Sequence, residues 1–316
     1  MAAAIGSFVE NHTLKSRMME TKKVLVAGAT GYLGQYLVKE LKKRNYWVRV
    51  LIRKPAQKVK FENVDDYFVG QITQPETLQG VTQNIDWAFS TVGITRQKDG
   101  FTYMDVDYQG NANLLKEAQK TGVASFQYIS AIHGDKLRHL KIFEAKEKFV
   151  DELKASGINY CVLRPNGFFS DMADFLQMAK AGRVYLFGNG DYKLNPIDGE
   201  DLAKVCVDKL LSGEKEASIG GPDVLSQNEI AALALKAWNQ PEKITHLPDW
   251  TRKFTLWVLR TFTSPKTYGT IEFFLSAMAS DNIAPQYGNK SLQDFFNSEV
   301  KNQKIPYWLL FKSMNS

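Results

Sequence analysis

The chain has 316 residues, 44% hydrophobic and 23% charged, a globular balance that excludes a disordered chain and leaves room for about two domains. A formal charge of +6 and a pI of about 9.0 suit an anionic partner: a phosphate, an acidic small molecule or a membrane surface. They are too mild to indicate nucleic acid, and no RNA-binding signature accompanies them.

Cys161 and Cys206 stand far apart and outside any metal or redox spacing, so they read as buried free thiols in a reducing compartment, and a cytoplasmic protein is expected. Four scattered histidines with no H-x-x-x-H pair predict no zinc site. No stretch reaches the apolar length of a spanning helix. Residues 1–20 read as an N-terminal extension, not apolar enough for a signal peptide and carrying Glu10.

The fold is expected to start at Val24-Leu25-Val26-Ala27, which runs into Gly28-Ala29-Thr30-Gly31-Tyr32-Leu33-Gly34. Leu33, Leu37, Val38 and Leu41 then recur at helical spacing through about Lys43. Strand, glycine turn and helix in that order make a cradle for a nucleotide phosphate. Gly28 tightens the turn, Gly31 lets the backbone approach a pyrophosphate, and Gly34 lets the helix pack close to the strand. The positive end of the helix faces the anion. The bland alternative is a tight turn with no ligand.

A second strand, 47–53, ends at Arg53 and Lys54. An acidic residue there would hold ribose hydroxyls; two cations suit a 2′-phosphate, so NADP(H) is the expected cofactor, unless both are merely solvated. The third strand, 66–69, leads to Gln71 and Ile72, which should lie near an adenine. The fourth, 85–89, leads through Ser90 to Thr91, Val92 and Gly93, near the link between the two riboses. A helical segment, 104–121, closes at Gly122. A fifth strand, 125–129, ends at Ser130. A helix with Ile142, Phe149 and Leu153 on its apolar face closes at Gly157. A sixth strand, 158–163, is expected to stop at Arg164-Pro165, because Pro cannot donate to a ladder.

Six such units predict an α/β fold with a doubly wound, mostly parallel sheet. This nucleotide-binding domain spans 21–165. Residues 166–316 form a smaller C-terminal substrate lobe intertwined with the sheet, in which Phe168, Phe169 and Met172 are expected to line a pocket. Residues 249–280 mix Trp250, Phe254, Trp257, Val258, Leu259, Phe262, Phe273, Phe274 and Leu275 with Arg252, Lys253, Arg260 and Lys266. A core-packing helical pair is the favoured reading; a surface helix touching membrane or a large hydrophobic ligand is the other.

Taken together, Gly28-Ala29-Thr30-Gly31-Tyr32-Leu33-Gly34, Lys146 and Leu163-Arg164-Pro165 resemble an atypical short-chain dehydrogenase/reductase of the NmrA-like kind, a Rossmann fold. Asp107-Tyr108-Gln109, Phe143-Glu144-Ala145-Lys146, Phe187-Gly188-Asn189-Gly190, Ile219-Gly220-Gly221-Pro222 and Leu292-Gln293-Asp294-Phe295-Phe296 are similar to divinyl chlorophyllide reductases. The resemblance covers nearly the whole chain after residue 22. It implies NADPH-dependent reduction of a carbon–carbon double bond on a conjugated tetrapyrrole. It also implies that Gly28, Thr30, Gly31, Tyr32, Leu33, Gly34, Arg53, Lys54, Gln71, Ile72, Thr91, Val92, Gly93, Ser130, Lys146, Pro165, Asn166 and Phe168 hold the cofactor, with Lys146 the catalytic residue.

Three departures bear on mechanism. The superfamily's Tyr-x-x-x-Lys has Ile142 in the Tyr position, Ile132 stands where its Ser belongs, and Gln71 replaces a frequent Asp. Carbonyl reduction by the usual triad is therefore excluded. Either a conjugated acceptor, protonated by water or by Tyr103, His133 or His139, receives the hydride, or the chain is an NADP(H)-sensing regulator or an accessory subunit.

Overall fold

The computed structural model describes residues 21–61, 63–94 and 100–304. The expected extension, 1–20, lies outside them. The centre is a seven-stranded sheet of β1 (Lys23–Ala27), β2 (Trp47–Ile52), β3 (Asp66–Val69), β4 (Trp87–Ser90), β5 (Ser125–Ile129), β6 (Asn159–Pro165) and β9 (Glu216–Ile219). Their order across the sheet is β3-β2-β1-β4-β5-β6-β9, and every pairing is parallel. The order reverses between β1 and β4, so a crevice opens there at the carboxyl ends of the strands.

Helices cover both faces. α1 (Tyr32–Lys43) buries Leu33, Leu37, Val38 and Leu41 and ends on Lys42 and Lys43, which favour the negative end of its dipole. On the same face α5 (Gly199–Leu211) starts at Asp198, whose carboxylate accepts the Glu200 and Asp201 N–H groups. The other face carries α2 (Asn111–Thr121) and α3 (Lys141–Ala155), whose Leu114, Phe149 and Val150 pack under Phe126 and Tyr128 of β5. Gly122 closes α2 in the left-handed region, at φ +74°.

Two local readings need correction. The segment before α2 is helical, as expected, but residues 104–110 form a π-helical turn. Such a turn inserts a residue and re-aims the side chains that follow. The sixth strand also runs on through Pro165. Its carbonyl accepts the Ile132 N–H, and the next amide, Asn166, donates to Ile219 O. The missing donor thus falls at the strand's last position, where the ladder loses little.

The C-terminal lobe has its own core, built from α4 (Ala173–Lys180), β7 (Val184–Phe187), α6 (Gln227–Ala237), β11 (Ile244–Leu247) and α9 (Leu292–Lys304). A short antiparallel pair, β8 (Lys193–Leu194) with β10 (Leu225–Ser226), lies beside it. Phe169 and Met172, expected to line a pocket, belong to that core and are buried in it. The lobe is tied to the sheet by β9 and by Asp201, which accepts the Asn289 and Lys290 N–H groups at 2.9 and 3.0 Å.

Helices α7 (Asp249–Phe262) and α8 (Pro265–Ala277) form the pair read from 249–280. Only α8 behaves as a core helix, with Leu275 and Glu272 buried and Phe273 against Phe143. In α7 only Leu256 is buried. The side chain of Lys266 lies outside the described set.

Candidate functional site

The turn after β1 has the shape an anion needs. Gly28 adopts φ +78°, and a Cβ there would stand 2.6 Å from Thr91 Oγ1. A Cβ on Gly34 would lie 2.2 Å from Gly28 O, so only glycine lets α1 start this close to β1. Gly31 caps α1 with no side-chain hydrogen bond, and no acidic residue occupies the first turn. The first amides of α1 are therefore left for an outside acceptor, which fits a pyrophosphate.

The crevice between β1 and β4 leads from this turn to a buried charge pair. Lys146 Nζ lies 2.8 Å from Asp107 Oδ1. Asp107 is fully buried and Lys146 is 9% exposed. Asp107 Oδ2 accepts the Ile94 N–H at 3.1 Å. Asn111, one turn on, donates from Nδ2 to Asp107 O and is pinned by the Ser90 hydroxyl. The π-helical turn is what brings Asp107 and Asn111 to the end of β4. The Tyr128 ring from β5 lies beside the ammonium, its centroid 5.6 Å from Lys146 Nζ, and its buried hydroxyl has no hydrogen-bond partner among the described residues.

Burial by itself would lower the Lys146 pKa. The Asp107 carboxylate and the Tyr128 oxygen outweigh it, so the pKa is raised and Lys146 stays an ammonium. Burial raises the Tyr128 phenol well above its ordinary value, against the pull of Lys146. In front of the pair lies Gly93, which is exposed. A Cβ there would come within 2.7 Å of Lys146 Nζ and 2.8 Å of Asp107 Oδ1. The pair thus touches the crevice only across a glycine.

The other residues read from the sequence divide by what their side chains do. Thr91 donates to Ala27 O at 3.1 Å and, with half-buried Val92, walls the crevice. Thr30 is half-buried in the turn, its carbonyl accepting from Gln35 Nε2. Arg53 and Lys54 are exposed just past β2. Gln71 and Ile72 are half-buried past β3, Ile72 held by Asn113 Nδ2 on its carbonyl. Leu33 packs into the core, so only its amide is available to a ligand. Tyr32 turns its ring toward Phe168 at 5.8 Å and accepts the Gly199 N–H on its hydroxyl, closing one side of the turn.

Several side chains are committed elsewhere. The Ser130 hydroxyl donates to Glu147 Oε1 at 2.6 Å, and Glu147 is clamped by Arg164 at 2.8 Å. Pro165 is buried in the strand. Asn166 donates to Asn195 Oδ1 and to Asn282 O, which joins the lobe to the sheet. Of the expected proton donors, His139 is exposed, His133 sits in a turn at φ +57°, and Tyr103 is buried against Gly269.

Asp107, Tyr128 and Asn111 carry the site's polarity and were not assigned roles from the sequence. Asp107 and Asn111 stand four residues apart, a polar pair on the buried face of a helical segment. That was the legible hint, because burying such groups is costly unless they are partnered.

A family model described as NAD(P)H-binding matches residues 28–212, more than half of the chain, and the chain belongs to that family. NAD(P)H is its cofactor, in agreement with the NADP(H) expected from the sequence. Among similar proteins is the divinyl chlorophyllide a 8-vinyl-reductase of Arabidopsis thaliana, 25% identical over 341 residues, covering 95% of this chain and 82% of that one. The photosystem II assembly factor Ycf39 of Guillardia theta is 28% identical over 224 residues, covering 70% of this chain and 68% of its own. The quinone oxidoreductase QOR2 of Escherichia coli shares the fold at a TM-score of 0.66 and 17% identity, over 89% of this chain and 99% of that one. The expected cytoplasmic location is overturned: the Arabidopsis reductase and three further plant relatives of the same name are chloroplastic. Cysteine usage could not show this, because it reports redox state rather than compartment.

Proposed function

We propose that this NAD(P)H-binding protein is an NADPH-dependent reductase that delivers hydride to a conjugated, hydrophobic acceptor, an enone, a quinone or a divinyl tetrapyrrole. One observation carries the reading: a buried ammonium–carboxylate pair behind Gly93, where the wider family's tyrosine is replaced by Ile142 and its serine by Ile132. The curated reductase relative supports the tetrapyrrole option.

Residues 21–165 bind the dinucleotide and residues 166–316 bind the acceptor. The Gly28–Gly34 turn holds the pyrophosphate, Arg53 and Lys54 the 2′-phosphate. Gln71 and Ile72 border the adenine, and Thr91 to Gly93 the riboses. Lys146 orients the nicotinamide ribose, with Pro165 and Phe168 bounding the far end. NADPH supplies the hydride when bound. Negative charge arriving on a conjugated acceptor spreads through it, so the chain's task is chiefly positioning, which can contribute ~7–11 kcal/mol. Water supplies the proton, because the Tyr128 phenol beside the ammonium is fully buried.

A second reading, an NADP(H)-sensing regulator or accessory subunit, is favoured by the missing triad and by the relative named as an assembly factor. Incubation with NADPH and a panel of enones, quinones and divinyl tetrapyrroles, followed by absorbance, separates the two. Turnover with any member supports the reductase. Tight NADPH binding with no turnover across the panel supports the sensor. Failure to bind either coenzyme overturns both.

A further inference from the structure

We propose that α7 is a docking helix that lays its aromatic face on an anionic lipid surface. Trp250, Phe254 and Trp257 stand at i, i+4 and i+7, within about 60° of one another around the helix. They are 65%, 54% and 58% exposed, and Phe262 at the helix end is 73% exposed. These rings touch one another rather than the core: Trp250 with Phe254, Phe254 stacked on Trp257 at 5.9 Å, Trp257 against Phe262. Leu256, the one buried residue of α7, points to the opposite side. The stripe is thus on the outside of the molecule by construction.

The flank of the stripe is basic. Lys253 and Arg260, seven residues apart, lie on the same side of it, with side chains 73% and 50% exposed. Over 249–280 four cations stand against two carboxylates, within a chain of net charge +6. Asp249, 44% exposed, shares this flank and pairs with Arg252 and Lys253, and Arg260 pairs with Glu272, so the segment keeps an excess of two positive charges, four cations less two carboxylates. Apolar rings in the middle, tryptophans among them, and cations at the margin match the layering of a bilayer interface: acyl boundary, then headgroup carbonyls, then anionic phosphate. A protein partner would be expected to find a concave or shape-matched patch, whereas this is one convex helix about 21 Å long. It cannot cross: no helix among the described residues is long and apolar enough to do so.

Position adds a consequence. α8 links the docking helix to α3, through Phe273 on Phe143 at 5.5 Å and Gly269 on Tyr103, and α3 carries Lys146. Under the reductase reading, and only under it, a lipid-dissolved acceptor would arrive close to the site. The docking itself stands without that reading.

The test is sedimentation of the full chain with vesicles of phosphatidylcholine containing phosphatidylglycerol, alongside pure phosphatidylcholine, with tryptophan emission recorded. Binding to the anionic vesicles with a blue shift is expected. It should fall at least tenfold in the Trp250→Ala, Phe254→Ser, Trp257→Ala variant and several-fold in Lys253→Glu, while NADPH binding stays at the wild-type level. Should the triple variant not fold, Phe254→Ser alone takes its place. No binding at any composition overturns the proposal, as does equal binding by wild type and variants. A wild-type dimer that the variant breaks, with no vesicle binding, assigns the face to a second copy and overturns it too. Vesicle binding without turnover would leave docking intact and count only against the reductase.

Discussion

Replacing Lys146 with Met removes the ammonium while keeping most of the side chain's length and apolar bulk. Asp107, fully buried, then keeps the Ile94 N–H at 3.1 Å but loses the cation at 2.8 Å. An uncompensated carboxylate at that depth takes up a proton instead of staying ionised. The cost at pH 7 is that of protonating a group whose unfolded pKa is about 3.9, roughly 4 kcal/mol at about 1.4 kcal/mol per unit. That agrees with the ~3–5 kcal/mol typical of breaking a buried pair.

The sign follows from proton counting. Burial already raises the Asp107 carboxyl in the wild type against the pull of Lys146 and the Ile94 N–H; in the variant the Lys146 pull is gone, the rise is larger, and the folded state holds a proton that the unfolded state has released. Stability is then lost as pH rises above about 4, at about 1.4 kcal/mol per unit. Because the wild type already bears part of this cost, the deficit relative to it should reach at most about 4 kcal/mol at pH 7 and at most about 1.5 kcal/mol at pH 5. Urea unfolding followed by circular dichroism at pH 5, 6 and 7 measures it. Adding Asp107→Asn should restore most of the loss, because the orphan charge is gone. A deficit under about 1 kcal/mol, or one equal at pH 5 and 7, would refute the reasoning.

Gly34→Ala places a Cβ 2.2 Å from Gly28 O and 2.7 Å from Ala29 Cα. Backbone cannot swing aside, so α1 must lift off β1, lowering stability by about 1–3 kcal/mol and NADPH affinity at least tenfold; an unchanged Kd by fluorescence titration would contradict this. Arg53→Asp should weaken NADPH more than NADH, and equal losses in parallel titrations would remove Arg53 from the 2′-phosphate site. Burial alone would raise the Asp201 carboxyl, but the Asn289 and Lys290 amides and Lys204 outweigh it and hold it below its ordinary range. Its contribution is therefore present above about pH 4 and lost as pH falls through the depressed folded value. Asp201→Asn should cost about 1.5–3 kcal/mol at pH 7, with a gap to wild type that narrows in thermal melts below pH 4; a constant gap would show that the charge does not matter.

The phosphate cradle and the sheet were legible because their signals are local. The glycine spacing 28, 31, 34 needs only its own strand and helix, and the strands at 66–69 and 125–129 appear where the apolar runs predicted them. Lys146 was legible through its resemblance to a family position, but not its partner. Asp107 lies 39 positions earlier in the chain, on a π-helical turn that no hydrophobic period announces. The side-chain partners of Ser130 and Asn166 were illegible for the same reason: Glu147, Asn195 and Asn282 come from other elements.

The amino-acid order by itself determined the order of the elements, the glycine turn that admits a dinucleotide and the absence of the usual tyrosine and serine. Each depends on neighbours within a few residues, where backbone sterics and side-chain period decide the outcome. Only the tertiary structure decided that Lys146 is neutralised by Asp107, that Phe169 and Met172 are core, and that the rings of α7 face solvent. An apolar helical stripe reads the same in sequence whether the core or the surroundings cover it, and a buried charge is tolerable only if folding delivers its counter-charge from a distance.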